Sequence, residues 1–382
     1  MKVLKKAILP VGFKANGIAS GIKKSGKLDL ALFYSDIPAK ASCQFTTNKI
    51  QAAPIKMNLS HLKQSVDFKA IVVNSGNANC FTGQRGVRDA EETVHFLAKS
   101  LNIKKHNCLV ASTGIIGRRL PLPKIKRAIP GLVRGLSVRG IDRAKTAIMT
   151  TDTFVKEVTV NFYLGKSKIT LCAVAKGAGM IAPDMSGHHA TMLAFILTDA
   201  NITKRALDKA LDSSVNNSFN CITVDGCMST NDSVMILANG AAKNRLIDVN
   251  KSFSKFLVAL NTVCIELAKL IVKDAEGASK FIQVKVSKAA SFKEARSIAL
   301  CVANSNLFKT AVYGENPNFG RIVAAIGASG INVAEKNIKI RVSPLHKKNI
   351  DVDISVNRGN SSAVVYTSDL TERYIKINAL YN

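Results

Sequence analysis

Two rhythms of apolar and polar positions run along this chain, a period near two that marks half-buried strands and a period near 3.6 that marks amphipathic helices. Residues 69–74 and 108–112 are short apolar runs that read as buried strands. Each ends in a small-residue loop, Asn74-Ser75-Gly76-Asn77 and Ser112-Thr113-Gly114, which leaves backbone amides available. Between them residues 89–101 put Ala90, Val94, Leu97 and Leu101 on one face and predict a helix, with acidic residues in its first turn where the macrodipole favours them. Residues 158–174 alternate around a turn near Gly165 and predict a hairpin. Residues 190–199 read as a buried strand. Helices are predicted over 204–211 and over 254–272, where Phe256, Leu260, Val263, Leu267 and Leu270 recur at helical spacing. The last hundred residues mix strands at 281–286, 338–342, 352–356 and 363–366 with a helix near 318–326. With no internal repeat or low-complexity linker, the expected class is α+β, helices covering sheets in layers.

The segment from Lys176 to Leu193, KGAGMIAPDMSGHHATML, interrupts these rhythms. Gly177, Gly179, the Ala182-Pro183-Asp184 turn signal and Ser186-Gly187 let the backbone take unusual conformations, and Thr191 then places a hydroxyl at the entry to an apolar strand. Such a hydroxyl can attack its own upstream carbonyl and afterwards serve as a nucleophile whose base is the freed α-amine. The same residues also fit a plain loop that enters a core strand with a threonine at its start.

Composition narrows the class. At 382 residues and 47% hydrophobic, the chain can bury two cooperating lobes or one large layered domain. No window approaches the roughly 18 uncharged apolar residues of a membrane span. The early lysines and short apolar run of MKVLKKAILPVGF are interrupted by Pro10 and Lys14, so a soluble, cytoplasmic protein is expected. The eight cysteines lack any CxxC spacing and read as reduced core thiols, and no His/Cys/carboxylate cluster has metal-ligand spacing, so no metal is expected. The net charge of +28 raises the prior for an anionic partner, but the cations are scattered, Trp is absent and no basic-aromatic module appears. A basic solvated surface is expected rather than a nucleic-acid partner.

Several blocks in fixed order resemble one family. They are GFKANGIASGIK (12–23), FTTNKIQAAP (45–54), AIVVNSGNANCFTG (70–83), LVASTGIIGRRLP (109–121), AIMTTDT (147–153), KGAGMIAPDM (176–185) and ATMLAFILTDA (190–200). SFNCITVDGCMSTND (218–232), DAEGASKF (274–281), KTAVYGENPNFGRI (309–322) and SDLTERYIKINALY (368–381) follow. The chain resembles, nearly end to end, the ornithine acetyltransferase family, the glutamate N-acetyltransferases of arginine biosynthesis that process themselves before a threonine.

The resemblance implies an αββα-type layered sandwich of two interlocked lobes with the nucleophile at a strand start. It also implies cleavage between Ala190 and Thr191 into fragments 1–190, which carries the oxyanion loop, and 191–382. The fragments stay associated, and two such protomers form a dimer. An acetyl-Thr191 ester would carry acetyl from N-acetylornithine to glutamate in a ping-pong cycle, without a cofactor; members with and without acetyl-coenzyme A as a second donor share these motifs. Thr113 and Gly114 match the oxyanion positions, and Thr150, Lys176, Thr191, Glu276 and Asn378 match substrate contacts, with Lys176 suited to a carboxylate and Glu276 to an amine. Taken on their own, Thr113-Gly114 is an ordinary turn, Lys176 a solvated strand end, Glu276 a surface carboxylate and Asn378 a turn asparagine.

Two departures stand out. Ser186 to His189 intervene where the family runs straight from its turn into Ala-Thr-Met-Leu. The insertion is expected to bulge outward without recruiting an imidazole, slowed cleavage being the other outcome such a bulge allows. Asn382 stands where the family usually carries a final Ser or Thr that also touches substrate. Two other functions remain compatible with the residues: an amidohydrolase or aminopeptidase that uses water as acceptor, and an uncleaved, non-catalytic basic protein.

Overall fold

The computed structural model describes residues 1–183, Met185, 192–249 and 251–380. Ala190, Thr191, the inserted Ser186 to His189 and Asn382 lie outside the described residues. In chain order the elements are β1 (Lys2–Leu4), β2 (Phe13–Ile18), β3 (Leu30–Phe45), α1 (Ala53–Gln64), β4 (Phe68–Asn77), α2 (Gly83–Leu101), β5 (Cys108–Ile115), α3 (Leu122–Arg134), α4 (Ile141–Ala147), β6 (Lys156–Leu164), β7 (Ser167–Lys176) and β8 (Leu193–Thr198). There follow α5 (Lys204–Asn216), β9 (Ser233–Ala238), α6 (Lys251–Lys273), β10 (Phe281–Ala289), α7 (Phe292–Asn304), α8 (Asn306–Tyr313), α9 (Phe319–Gly327), β11 (Lys339–Val342), β12 (Asn349–Ser355), β13 (Ser361–Ser368) and α10 (Glu372–Ala379).

The chain is an α+β protein with two mixed sheets. One has nine strands in the order β1-β6-β7-β8-β9-β3-β4-β5, with β2 also on β3, and the other has four in the order β11-β12-β10-β13. The sixteen-residue β3 bends the larger sheet over itself. Its first half pairs with β2 and β4, the register with β4 shifts between Tyr34 and Ala39, and its second half pairs with β9. Strand alternation then sorts the core. Leu171, Ala194, Ile196 and Ile236 face α5 and α6, while Val174, Phe195 and Met235 face the other way onto Phe33, Ile71 and Leu109. Phe33 and Phe195 stack across that interface with centroids 5.1 Å apart. The opposite side of β3, β4 and β5 packs Leu32, Val72 and Val110 on α2 and α3.

In the sheet order, β8 and β9 lie between β7 and β3, so strands that follow residue 191 are flanked by strands that precede it. The smaller sheet buries Val284, Val286, Val352 and Val365 under α7, α8 and α9.

Most of the predicted elements form, and the differences have local causes. The hairpin turns at Gly165, whose φ of +60° a residue without Cβ adopts freely. Helix α2 starts at Gly83 rather than near 89, and no acid lies in its first turn. Asn79 and Phe81 take positive φ and break the chain just before it, and its polar first turn carries no apolar period to read. Asp89 instead meets Arg85 one turn back, at 3.3 Å. None of the eight cysteines is in a disulfide and five are buried, and burial pushes the Cys108 and Cys172 thiols up to about 12; Cys227 is exposed.

Lys309 joins the smaller sheet's body to the larger one. It is 2% exposed, its Nζ donates to the Val224 carbonyl and to Thr367 Oγ1 (3.4 Å), and the charges of Asp225 and Asp369 favour its ammonium. Burial outweighs them and pulls its pKa from 10.5 to about 8. Between those values the unfolded chain holds a proton that the folded chain has lost, so the stability tied to this residue rises with pH across the window. Wild-type protein is therefore expected to gain stability over Lys309→Met between pH 8 and 10, by on the order of 1 kcal/mol per pH unit, in paired urea titrations. An unchanged gap would remove Lys309 as the titrating group.

Candidate active site

The sequence-identified residues converge. Thr113, Gly114, Thr150, Lys176, Glu276 and Asn378 all line one cavity of about 260 Å³, together with Ile115, Ile116, Arg118, Gly179, Met180 and Asn231. Five separate stretches of chain carry the six: the end of β5, the loop after α4, the end of β7, the turn after α6, and α10 folded against that turn.

Parallel pairing of β4 and β5 delivers the first wall. Gly114 lies opposite Gly76 with φ +129°, and a Cβ there would come within 2.4 Å of the Gly76 backbone, so only glycine permits this approach. Asn231 stiffens the loop by donating from Nδ2 to the carbonyls of Ala78 (2.7 Å) and Ser112 (2.8 Å). The Thr113 hydroxyl is buried and has no hydrogen-bond partner among the described residues. A buried hydroxyl left unmatched costs roughly 1–3 kcal/mol, which a ligand atom in the cavity would recover.

Lys176 ends β7 opposite Leu193, the first residue of β8. It is 3% exposed, which overturns the solvated strand end as its explanation. Burial pulls its amine below the ordinary lysine value, with Asp152 as the main opposing charge. At the same strand start, the Met192 amide donates to Asp232 Oδ1 and the Met192 carbonyl accepts from the Ser233 amide at 3.1 Å. The residue that follows Thr191 is thus fixed on both sides.

Glu276 faces the cavity because Gly179 leaves room: a Cβ on Gly179 would lie 2.2 Å from Glu276 Oε2. The Glu276 amide donates to the Ala178 carbonyl at 3.0 Å, and Asn378 Nδ2 donates to Glu276 Oε2 at 3.0 Å. Asn378 arrives on α10, which Thr371 caps while its hydroxyl also donates to the Gly277 carbonyl at 2.7 Å. Asp225 ties the facing loop to this helix. It accepts from the amides of Met180 (2.7 Å) and Ile181 (3.0 Å) and from the Tyr374 hydroxyl (3.2 Å).

Beneath the cavity lies an ion cluster that sequence reading missed. Lys156 Nζ, with a side chain 0% exposed, donates to Asp152 Oδ1 at 2.7 Å and to Asp274 Oδ2 at 2.5 Å. Asp152 also accepts from the amides of Gly177 (2.7 Å) and Thr150 (2.9 Å), and Asp274 from the Thr153 amide and hydroxyl. One ammonium therefore sets the loop of Thr150, the strand end of Lys176 and the turn before Glu276. Burial works against the Asp152 charge, but Lys176 and Lys156 outweigh it and hold the carboxyl well below the usual carboxylate range. Asp152, Asp274 and Asn231 each stood inside a family-like block, the one signal that could have pointed to them. Lys156 carried no such mark.

No group of three His, Cys, Asp or Glu among the described residues is arranged to hold a metal ion, and none of their helices is long and apolar enough to cross a membrane.

Chemically, the cavity offers a hydroxyl and a backbone turn on one wall, a cation at the end of β7 and a carboxylate opposite. Such a set suits a small zwitterion that carries an acyl group. An arginine biosynthesis bifunctional protein from Geobacter sulfurreducens is 43% identical over 392 residues, spanning 97% of this chain and 98% of that one. Its counterpart from Clostridium acetobutylicum is also 43% identical, spanning 97% and 95%. Among solved structures, a Bacillus halodurans arginine biosynthesis bifunctional protein aligns at 34% identity and TM-score 0.46 over 50% of this chain and 98% of that one. The Mycobacterium tuberculosis ornithine acetyltransferase complexed with ornithine aligns at 36% and 0.45 over 48% and 98%. The family model itself matches residues 14–346, and this chain belongs to the ArgJ family.

Proposed function

We infer that this chain is a glutamate N-acetyltransferase of arginine biosynthesis, which takes acetyl from N-acetylornithine and gives it to glutamate through an acetyl ester on Thr191. The observation that carries this reading is the meeting of a Thr113 hydroxyl unpaired among the described residues, the Lys176 cation and the Glu276 carboxylate around one cavity beside the start of β8. The nucleophile at a strand start and the layered packing fit the αββα arrangement of the family. The name of its relatives as bifunctional proteins supports a second activity, amino-acid N-acetyltransferase with acetyl-coenzyme A as donor.

In the first half-reaction Thr191 Oγ attacks the acetyl carbonyl while the freed α-amine of Thr191 takes its proton. That amine's pKa near neutrality, about 7.7–8.0 in an unperturbed chain, suits it to the task. Thr113 Oγ1 and the Gly114 amide face the oxygen that gains charge. Collapse breaks the amide bond, the proton passes to the leaving ornithine amine, and the ester remains. Glutamate's amine then attacks the ester, the proton returns to the threonine oxygen, and N-acetylglutamate leaves. Lys176 answers the α-carboxylate common to both amino acids, and Glu276, held by Asn378, answers the side-chain amine of ornithine.

The working form on this reading is cytoplasmic, residues 1–190 and 191–382 held as one protomer, two of which form a dimer. Ornithine release is expected to rise with added glutamate and to match N-acetylglutamate mole for mole. Equal release without glutamate, with free acetate formed, would make the enzyme a hydrolase. Thr113→Val keeps the side-chain shape and removes the donor. Turnover is expected to fall about a hundredfold to a thousandfold with the melting temperature little changed, and near-normal turnover would take Thr113 out of the site.

A further inference from the structure

A ping-pong enzyme with one acetyl-carrying hydroxyl must seat both amino acids in the same place. Resting on the reading above, this sets a problem of charge. Ornithine and glutamate share an α-amine and an α-carboxylate and have three-carbon side chains, but one ends in an ammonium and the other in a carboxylate. The Glu276 carboxylate that attracts the first repels the second. A cation must therefore serve glutamate without blocking ornithine, and Lys176 is taken by the carboxylate that both share.

Arg118 is placed for that task. It lines the cavity, is exposed, and has no hydrogen-bond or ion-pair partner for its side chain among the described residues. Its backbone is firmly set, since buried Asn77 donates from Nδ2 to the carbonyls of Arg118 (3.1 Å) and Arg119 (3.0 Å), and the Gly117 amide donates to the Cys80 carbonyl (3.0 Å). Ile116 and Met180, 40% and 39% exposed, supply apolar surface at the same opening for a methylene chain. A guanidinium offers a carboxylate two parallel donors, and at a rim it stays hydrated in water when no anion is present. A buried cation could not stand aside in that way.

We propose that Arg118 is the specificity residue that receives the side-chain carboxylate of glutamate, which lets one cavity accept two substrates of opposite side-chain charge.

The test separates the half-reactions on the processed enzyme. Arg118→Met is expected to raise the KM for glutamate about tenfold or more, a loss within the range for hydrogen bonds to charged groups. The KM for N-acetylornithine, and ornithine release with hydroxylamine as acceptor, should stay within about twofold of wild type. Arg118→Lys, which keeps the charge and loses the fork, should recover part of the glutamate affinity, and Arg118→Glu should weaken it further. An unchanged glutamate KM in Arg118→Met, or equal rises in both KM values, would overturn the assignment. Wild-type enzyme that releases ornithine yet makes no N-acetylglutamate would instead refute the acceptor itself, whatever Arg118 does.

Discussion

Thr191→Ala is expected to yield a single uncut chain, where wild type resolves under denaturing conditions into fragments of 190 and 192 residues. The hydroxyl of this residue is proposed both to attack the Ala190 carbonyl and to carry acetyl afterwards. One substitution should therefore abolish processing and turnover together, on the order of a millionfold for the latter, as when other covalent enzymes lose their nucleophile. Intact mass of freshly purified protein reads the first effect. Wild-type protein that stays at full length would refute self-processing in this chain and make the four inserted residues the first to delete. Normal ornithine release by Thr191→Ala would refute the ester.

The second large effect is on stability. In Lys156→Met the carboxylates of Asp152 and Asp274 would remain buried without their shared cation. Breaking a buried pair on one side costs about 3–5 kcal/mol, a large part of the roughly 5–15 kcal/mol that holds a typical protein together. A urea midpoint lowered to match is expected, with a raised KM for N-acetylornithine because Thr150 and Glu276 lose their common anchor. Adding Asp274→Asn to Lys156→Met removes one stranded charge and should restore part of the loss. A loss under about 1 kcal/mol in the single variant would mean that Lys176 alone satisfies Asp152.

Much of this architecture was legible from residue order alone because it is local. The 158–174 hairpin needed only alternation and Gly165, and α6 only the 3.6 period of its apolar face. Strand β3 was not legible. Its sixteen residues include Asp36, Pro38 and Lys40, and the register change between Tyr34 and Ala39 breaks the alternation where the strand leaves one partner for another. The site divides in the same way. Thr113, Lys176 and Glu276 stand in recognisable blocks, but the burial of Lys176 follows from segments far apart in sequence, and the bond from Lys156 to Asp274 spans 118 residues. No window of sequence contains both ends of such a contact. Nothing in the sequence singles out Arg118, since an exposed arginine means little until the cavity beside it is known.

The place of β8 and β9 between β7 and β3 bears on how the protein is made. A cut before Thr191 would fall after the chain has woven these strands together, with two interior strands of the larger sheet supplied by the second fragment. Before the cut, folding is a one-molecule event whose rate is independent of concentration. After it, a denatured enzyme could return only by the meeting of two separate polypeptides, each with unpaired strand edges open to aggregation while it searches. Processing would thus turn a reversible fold into a one-way assembly, and the uncut chain would be the only form able to build the active site unaided.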